Sequence, residues 1–331
     1  MAGQLTLTRV WRILKEVDLQ AIRREAGRRV RVLIIGEMTD DADELALRLA
    51  EGQDDPTRWL TAVDAPLAAR AIARRAGLDS EVLPYRPDIV IAILRGPDES
   101  PDMRAARRYW AARKAHLITV AIASDRIAGD LQTRGGSALV AVDRMDDEGF
   151  RSVVDAVFAV VEPDRRVGLA RQIPSLRPKV ITSLIDETAR ANAGYAFSTG
   201  LAEIIPVLDI PLVIGDMVVL SKNQLMMSYR IALAAGKTGQ PRELIGEIVG
   251  VLGGGLLFRQ IARQLVGLLP VIGIVPKVAV AYGGTWAIGR AVVLWATEGQ
   301  MLSSARLRQL SREGFARGRE VARHFRRGID F

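Results

Sequence analysis

The spacing of apolar residues changes character near residue 165, and that change divides the chain. Before it, short β-rich runs lie at Val30–Gly36, Trp59–Val63, Asp88–Leu94, Leu117–Ala123 and Ala138–Val142. Helical patterns fall between them, at Glu44–Ala50, 66–76, 101–115 and 147–161. Strand and helix in alternation predict crossover units, hence a mainly parallel sheet with helices on both faces. Ahead of the first run, Trp11, Leu14, Val17, Ala21 and Ile22 recur at helical spacing, so residues 8–27 read as an amphipathic helix. Pro163-Asp164-Arg165-Arg166 marks the exit from the α/β region.

Beyond residue 165 the strand signals stop. Helices are predicted over 178–193, 210–235, 241–268, 276–297 and 301–327, punctuated by Gly194, Pro206, Pro211, Gly236, Pro241, Pro270 and Pro276. The expected organisation is an N-terminal helix over 1–29, an α/β domain over 30–163, an apolar all-α domain over 164–300 and a basic helical tail over 301–331. The fold class is therefore an α/β, Rossmann-like N-terminal domain followed by an all-α C-terminal domain.

Composition removes several chemistries. With no cysteine among 331 residues, disulfides, thiolate metal sites and cysteine nucleophiles are all absent. The two histidines, His116 and His324, stand in no metal or hydrolase motif. No catalytic residue and no cofactor is assigned. The formal charge of +8 is uneven: eight arginines lie between Met301 and Phe331, facing only Glu313, Glu320 and Asp330. Such a helix suits an anionic lipid surface or nucleic acid, or is a solvated face. With Phe315 and Phe325 the only phenylalanines of the predicted helix 301–327 and no DNA-reading motif, nucleic acid is the lesser candidate partner. The first eight residues are polar, so no signal peptide is expected and the N-terminal domain is expected in the cytoplasm.

The first strand ends in Gly36, where nucleotide-binding folds turn into a phosphate-binding helix. A P-loop requires Gly, four residues, then Gly-Lys-Ser/Thr, and the last three places here hold Asp41, Ala42 and Asp43. The phosphate-neutralising lysine is an alanine, and Glu37, Asp40 and Glu44 add further negative charge. Two like charges about 4 Å apart repel by about 1 kcal/mol in water and several times that near a protein surface. Phosphate should be rejected. Asp41 and Asp43 are instead candidate Mg²⁺ ligands at the carboxyl end of the sheet, or members of a solvated acidic turn.

Other landmarks resemble those of Era-type GTPases. Val63-Asp64-Ala65-Pro66-Leu67 is similar to that family's Asp-Thr-Pro-Gly segment, with leucine for glycine. His116–Asp125 resembles the strand ending in Asn-Lys-x-Asp, its last places being Ile122, Ala123, Ser124 and Asp125. Asp143–Phe150 resembles the segment around Ser-Ala-Lys but keeps only the Glu-Gly ending. The resemblance covers roughly residues 30–161 and implies a P-loop GTPase-like fold with a degenerate site. Should nucleotide bind, Gly36, Asp64 and Asp125 are the residues it implies. Asp64 and Asp125 read equally as turn residues capping strand ends. A response-regulator receiver also carries acids there, and Pro87-Asp88-Ile89-Val90-Ile91 is similar to that family, but Ile93 stands where its phosphoacceptor aspartate belongs.

Residues 195–298 resemble the YcjF-type domain of unknown function, found in bacterial inner-membrane proteins and often fused behind Era-like GTPase domains. The matching residues include Pro206, Asp209, Gln224, Met227, Ile231-Ala232, Gly236, Leu269–Gly273 and Thr285–Ala291. Small residues recur every fourth place, at Gly246, Gly250 and Gly254 and again at Ala279, Gly283, Ala287 and Ala291. Such ladders let helix backbones approach closely, in membranes or in soluble bundles. Ile245–Ala296 is long enough for a membrane hairpin but contains Glu247, Arg259, Arg263, Lys277 and Arg290, each costing about 3 kcal/mol near a bilayer centre. Asp209 or Asp216 is expected to pair with Lys277 or Arg290 inside the bundle.

The expected function is a non-catalytic, membrane-associated scaffold on a GTPase-like domain; the alternative is an atypical GTP-binding protein or GTPase with a remodelled site. Expected partners are the inner membrane or a membrane-bound protein, with homo-oligomers conceivable. The expected location is the cytoplasmic face of the inner membrane, or else the cytoplasm.

Overall fold

The structure is a computed structural model. It describes residues 17–53, 55–73, 86–95, 99–113, 115–122, 132–134, 137–202, 211–252, 274–299 and 302–327. The chain divides into two compact units, one of residues 25–180 and one of residues 1–24 with 181–331.

In the first unit the predicted runs form β1 (Val32–Gly36), β2 (Leu60–Asp64), β3 (Ile89–Arg95), β4 (His116–Ile122) and β6 (Ser137–Val142). They pair in parallel in the order β2-β1-β3-β4-β6. A short strand, β5 (Gln132–Arg134), joins the far edge antiparallel to β6. The helices of this unit are α2 (Thr39–Ala50), α3 (Ala65–Ala73), α4 (Pro101–Ala112), α5 (Asp147–Val160) and α6 (Arg166–Gln172). An earlier helix, α1 (Leu19–Ala26), matches the described part of the amphipathic pattern, burying Leu19, Ile22 and Ala26. Trp11 and Leu14 lie outside the described residues.

Strand side chains alternate between faces, so β1, β3 and β4 feed two cores. Val32, Ile34, Ile89, Ile91, Ile93, Ile118 and Val120 pack with Leu45 and Leu49 of α2 and Val153 and Val157 of α5. Leu33, Ile35, Val90, Ala92 and Leu94 pack with Ala65 and Ala68 of α3 and Met103, Ala106 and Trp110 of α4. Leu169, Ile173 and Leu176 also belong to the first core, so the compact unit continues past Pro163. Its closing contact is the Gln172 carboxamide, which accepts from Val30 N at 2.9 Å and donates to Val30 O at 2.6 Å. A side chain thus satisfies both main-chain groups of the residue that leads towards β1.

The second unit is helical: α7 (Arg177–Ala202, from Ile181 onward), α8 (Pro211–Ala234), α9 (Pro241–Val251), α10 (Ile274–Glu298) and α11 (Ser304–Arg327). Thr285 of α10 is buried and accepts hydrogen bonds from Asn192 of α7 at 2.9 Å and Gln224 of α8 at 3.1 Å. Its hydroxyl donates to Ala281 O at 2.8 Å, and Asn223 donates to the Asn192 carbonyl at 2.8 Å. Three helices are held in register by amides whose bonds hydrocarbon could not replace.

The α10 ladder predicts a close helix approach, and its partner is the basic helix α11. Gly283 of α10 lies against the backbone of Gly314 and Phe315, and Gly318 of α11 against Ala279. By contrast, a Cβ at Gly246 or Gly250 of α9 would meet nothing among the described residues. Gly254 lies outside them, as do Asp209 and the side chain of Asp216. Their expected partners fall on α10, where Arg290 is exposed and Lys277 half-buried. Within α10, Pro276–Glu298 is long and apolar enough to cross a membrane, but 83% of its apolar window is buried in the fold.

Candidate functional site

In an open α/β sheet, ligands bind beyond the carboxyl ends of the strands where the strand order reverses. Here the chain runs from β1 outward to β2, then returns across β1 to β3, so the crevice lies beyond Gly36 and Arg95. Gly36 is followed by only Glu37 and Met38 before α2 begins at Thr39. The bend is so tight that a Cβ on Gly36 would collide with the Met38 carbonyl oxygen. A phosphate-cradling loop needs several consecutive backbone N–H groups around an anion. Two residues do not make that loop.

The acidic stretch expected as a turn is the first turn of α2. Aspartates favour turns and helix N-termini alike, because both offer unpaired N–H groups and, in the helix, a positive dipole end. Asp40 and Asp43 point to solvent, whereas the Asp41 side chain is only 4% exposed. Arg95, the last residue of β3, closes on it. Arg95 Nε lies 2.9 and 2.8 Å from the two carboxylate oxygens, and Nη2 lies 2.5 Å from Oδ1. This paired geometry is the strongest that a guanidinium makes with a carboxylate. The Asp41 hydrogen bonds, then its charge, hold the Arg95 pKa above the usual arginine value.

The surrounding polar groups are also engaged. Glu37 Oε1 accepts from Ser100 N at 3.1 Å, and Ser100 Oγ caps α4 by accepting from Met103 N at 3.1 Å. Asp64, opposite Gly36 in the β1–β2 register, accepts from Leu67 N at 2.6 Å and from the Thr39 hydroxyl at 3.4 Å. Asp64 is therefore a turn-capping residue that ties the β2 end to the start of α2. At the β6 end, Asp146 caps α5 by accepting from Glu148 N and Gly149 N. Arg48 spans this turn, donating to Met145 O and Asp146 O and reaching Asp147 at 2.7 Å.

Of the sequence candidates, Gly36, Asp41 and Asp64 gather at one end of the sheet. Asp43 faces away from Asp41, and Asp125 lies outside the described residues. Asp41 has both oxygens committed to Arg95, and no group of three metal-ligating side chains occurs among the described residues. Arg95 itself escapes sequence reading. Its one signal is a cation closing an otherwise apolar, buried strand. Chemically, the described residues of the crevice offer a carboxylate paired with Arg95, with exposed Asp40 and Glu44 on the same helix.

Comparison with protein-family models, with curated proteins and with solved structures found no match to this chain. What stands is an α/β domain with a five-strand parallel sheet, ordered 2-1-3-4-5 by parallel strand, followed by helices.

Proposed function

We propose that this protein is a non-catalytic scaffold acting at a membrane surface, its α/β domain a GTPase-like platform from which the phosphate chemistry has been removed. The observation that carries this reading is the Asp41–Arg95 pair standing in the switch-point crevice after a two-residue turn. A triphosphate entering there would have to displace a nearly buried carboxylate from its counter-charge and then face Asp40 and Glu44.

The sequence likenesses to Era-type GTPases and to the YcjF-type helical domain support the two-part architecture and the cytoplasmic face of the inner membrane as its place. The partners are the membrane or a protein within it, and self-association of the helical unit fits the same role. Because α10 already spends its apolar surface inside the fold, contact with the bilayer is assigned to the exterior of the helical unit.

The test is fractionation of cells making the intact chain or a chain ending at Val180, together with a phosphate-release assay on the purified protein. The intact chain is expected to sediment with membranes, to be released by carbonate, and to release no phosphate from GTP; the shortened chain is expected to be soluble. An intact chain found wholly in the soluble fraction, or steady GTP turnover lost on changing Asp125 to alanine, would refute the proposal.

A further inference from the structure

We infer that one flank of α11 is a docking surface for the phosphates of an anionic lipid bilayer; this rests on the membrane reading above and names the surface responsible. The helix is fixed by its other side. Leu307, Leu310, Gly314, Gly318 and Ala322 are buried, with Gly314 and Gly318 against the α10 backbone. At 3.6 residues per turn, Arg308, Arg312, Arg319 and Arg323 fall within about 60° of arc along the helix, over a length of about 22 Å. All four are exposed.

The acids of the helix are sorted away from this stripe. Glu313 and Glu320 lie about 100° around the helix, on the flank that also bears Arg306 and Arg317. On that flank, Arg306 Nη1 bonds Gln309 Oε1, the Gln309 amide bonds Glu313, and Arg317 stacks over the Trp286 ring at 4.8 Å. Ala305, Ala316 and half-buried Phe315 lie beside the four stripe arginines. A solvated helix mixes its signs; here one flank does and the other does not.

An amphipathic helix normally enters a bilayer by its apolar face. In α11 that face is occupied by α10, so attachment must act through charge alone. A row of exposed guanidinium groups with a single ring beside it, Phe315 at 5.4 Å from Arg319, suits a flat array of phosphates better than the successive bases of a nucleic acid. Such attachment is peripheral and salt-sensitive.

The test is co-sedimentation of the intact protein with vesicles of phosphatidylcholine alone or containing about 30% phosphatidylglycerol, at about 0.1 M salt. Three variants are compared. The stripe variant carries glutamine at positions 308, 312, 319 and 323. A charge-matched control carries glutamine in place of exposed Arg28, Arg29, Arg70 and Arg108. A third variant replaces the four stripe arginines by lysine and shows whether charge suffices if the glutamine protein is poorly folded.

Each basic residue near an anionic surface favours partitioning by about fivefold, so after screening the stripe variant is expected to bind at least about tenfold more weakly. The control and the lysine variant should stay within about threefold of wild type, and neutral vesicles should bind none of the proteins. Equal losses in stripe and control variants, or none in the stripe variant, would overturn the inference while leaving membrane association standing. Wild-type protein bound to neither vesicle would overturn the membrane reading as well. Binding of a random-sequence duplex, lost with the stripe while vesicles are ignored, would transfer the surface to nucleic acid and overturn the lipid assignment.

Discussion

Replacing Gly283 by alanine is expected to destabilise the helical unit, against the direction that helix propensity alone would give. In an open helix position this exchange stabilises by about 1 kcal/mol, because glycine loses more backbone freedom on folding. At Gly283, however, the new Cβ would lie 2.5 Å from Gly314 O, 2.6 Å from Gly314 C and 2.8 Å from Phe315 N, whereas ordinary contact begins at 3.4 Å. Those atoms are backbone on a packed helix, so no side chain can swing aside. The α10 and α11 backbones must separate by about 0.9 Å, the difference between 3.4 and 2.5 Å. Overpacking of this kind costs about 3 kcal/mol, leaving a net loss of about 2 kcal/mol after the propensity gain. In a unit of this size that lowers the melting temperature by about 4–8 °C.

The assay is scanning calorimetry beside a matched Gly194→Ala variant. At Gly194, also within a helix, a Cβ would meet nothing among the described residues. That variant should melt at or slightly above the wild-type temperature. If Gly283→Ala proved as stable as wild type or more so, the backbone contact between α10 and α11 would be refuted.

Three further outcomes are expected. Gln172→Ala strands the buried N–H and C=O of Val30 and should cost the α/β unit about 3 kcal/mol, read from the midpoint of its denaturant transition. Thr285→Val keeps the side-chain shape but removes the acceptor shared by Asn192 and Gln224; a loss of about 2–4 kcal/mol in the helical unit is expected, measured the same way. The backbone hydrogen bonds from Gly149 and Glu148, with the Arg144 charge, lower the Asp146 pKa below 3.8. Because the folded value is the lower one, the ionised cap stabilises above 3.8 and that contribution fades as pH falls through the folded value. The melting difference between wild type and Asp146→Asn should therefore be present at neutral pH and shrink below 3.8.

The sheet is legible in the sequence because its central strands β1, β3 and β4 are buried on both faces and read as unbroken apolar runs. Val32–Gly36 and Ile89–Leu94 need no partner information to be recognised. The α10 ladder is legible for the same reason: Ala279 and Gly283 stand one turn apart and carry almost no side chain. Which helix fills the ladder is not legible. Gly246 and Gly250 of α9 show the same spacing, and only the fold distinguishes them from Gly314 and Gly318 of α11, which lie within a strongly charged segment.

At the candidate site the departure from a P-loop pattern is legible, since Asp41-Ala42-Asp43 stands in the chain itself. What fills the crevice is a long-range matter. Asp41 and Arg95 are 54 residues apart and meet because the sheet order sets the end of β3 beside β1. Gln172 and Val30 are separated by 142 residues, and no local pattern marks a glutamine that will clamp a main-chain segment. The start of α2 is missed because aspartate serves a turn and a first helical turn equally well.

The crevice beyond β1 and β3 is most directly tested by calorimetric titration of the intact protein with GTP and Mg²⁺. No saturable heat is expected up to about 1 mM nucleotide, a binding free energy no more favourable than about −4 kcal/mol. A saturable isotherm in the micromolar range, abolished by Asp125→Ala, would contradict the account.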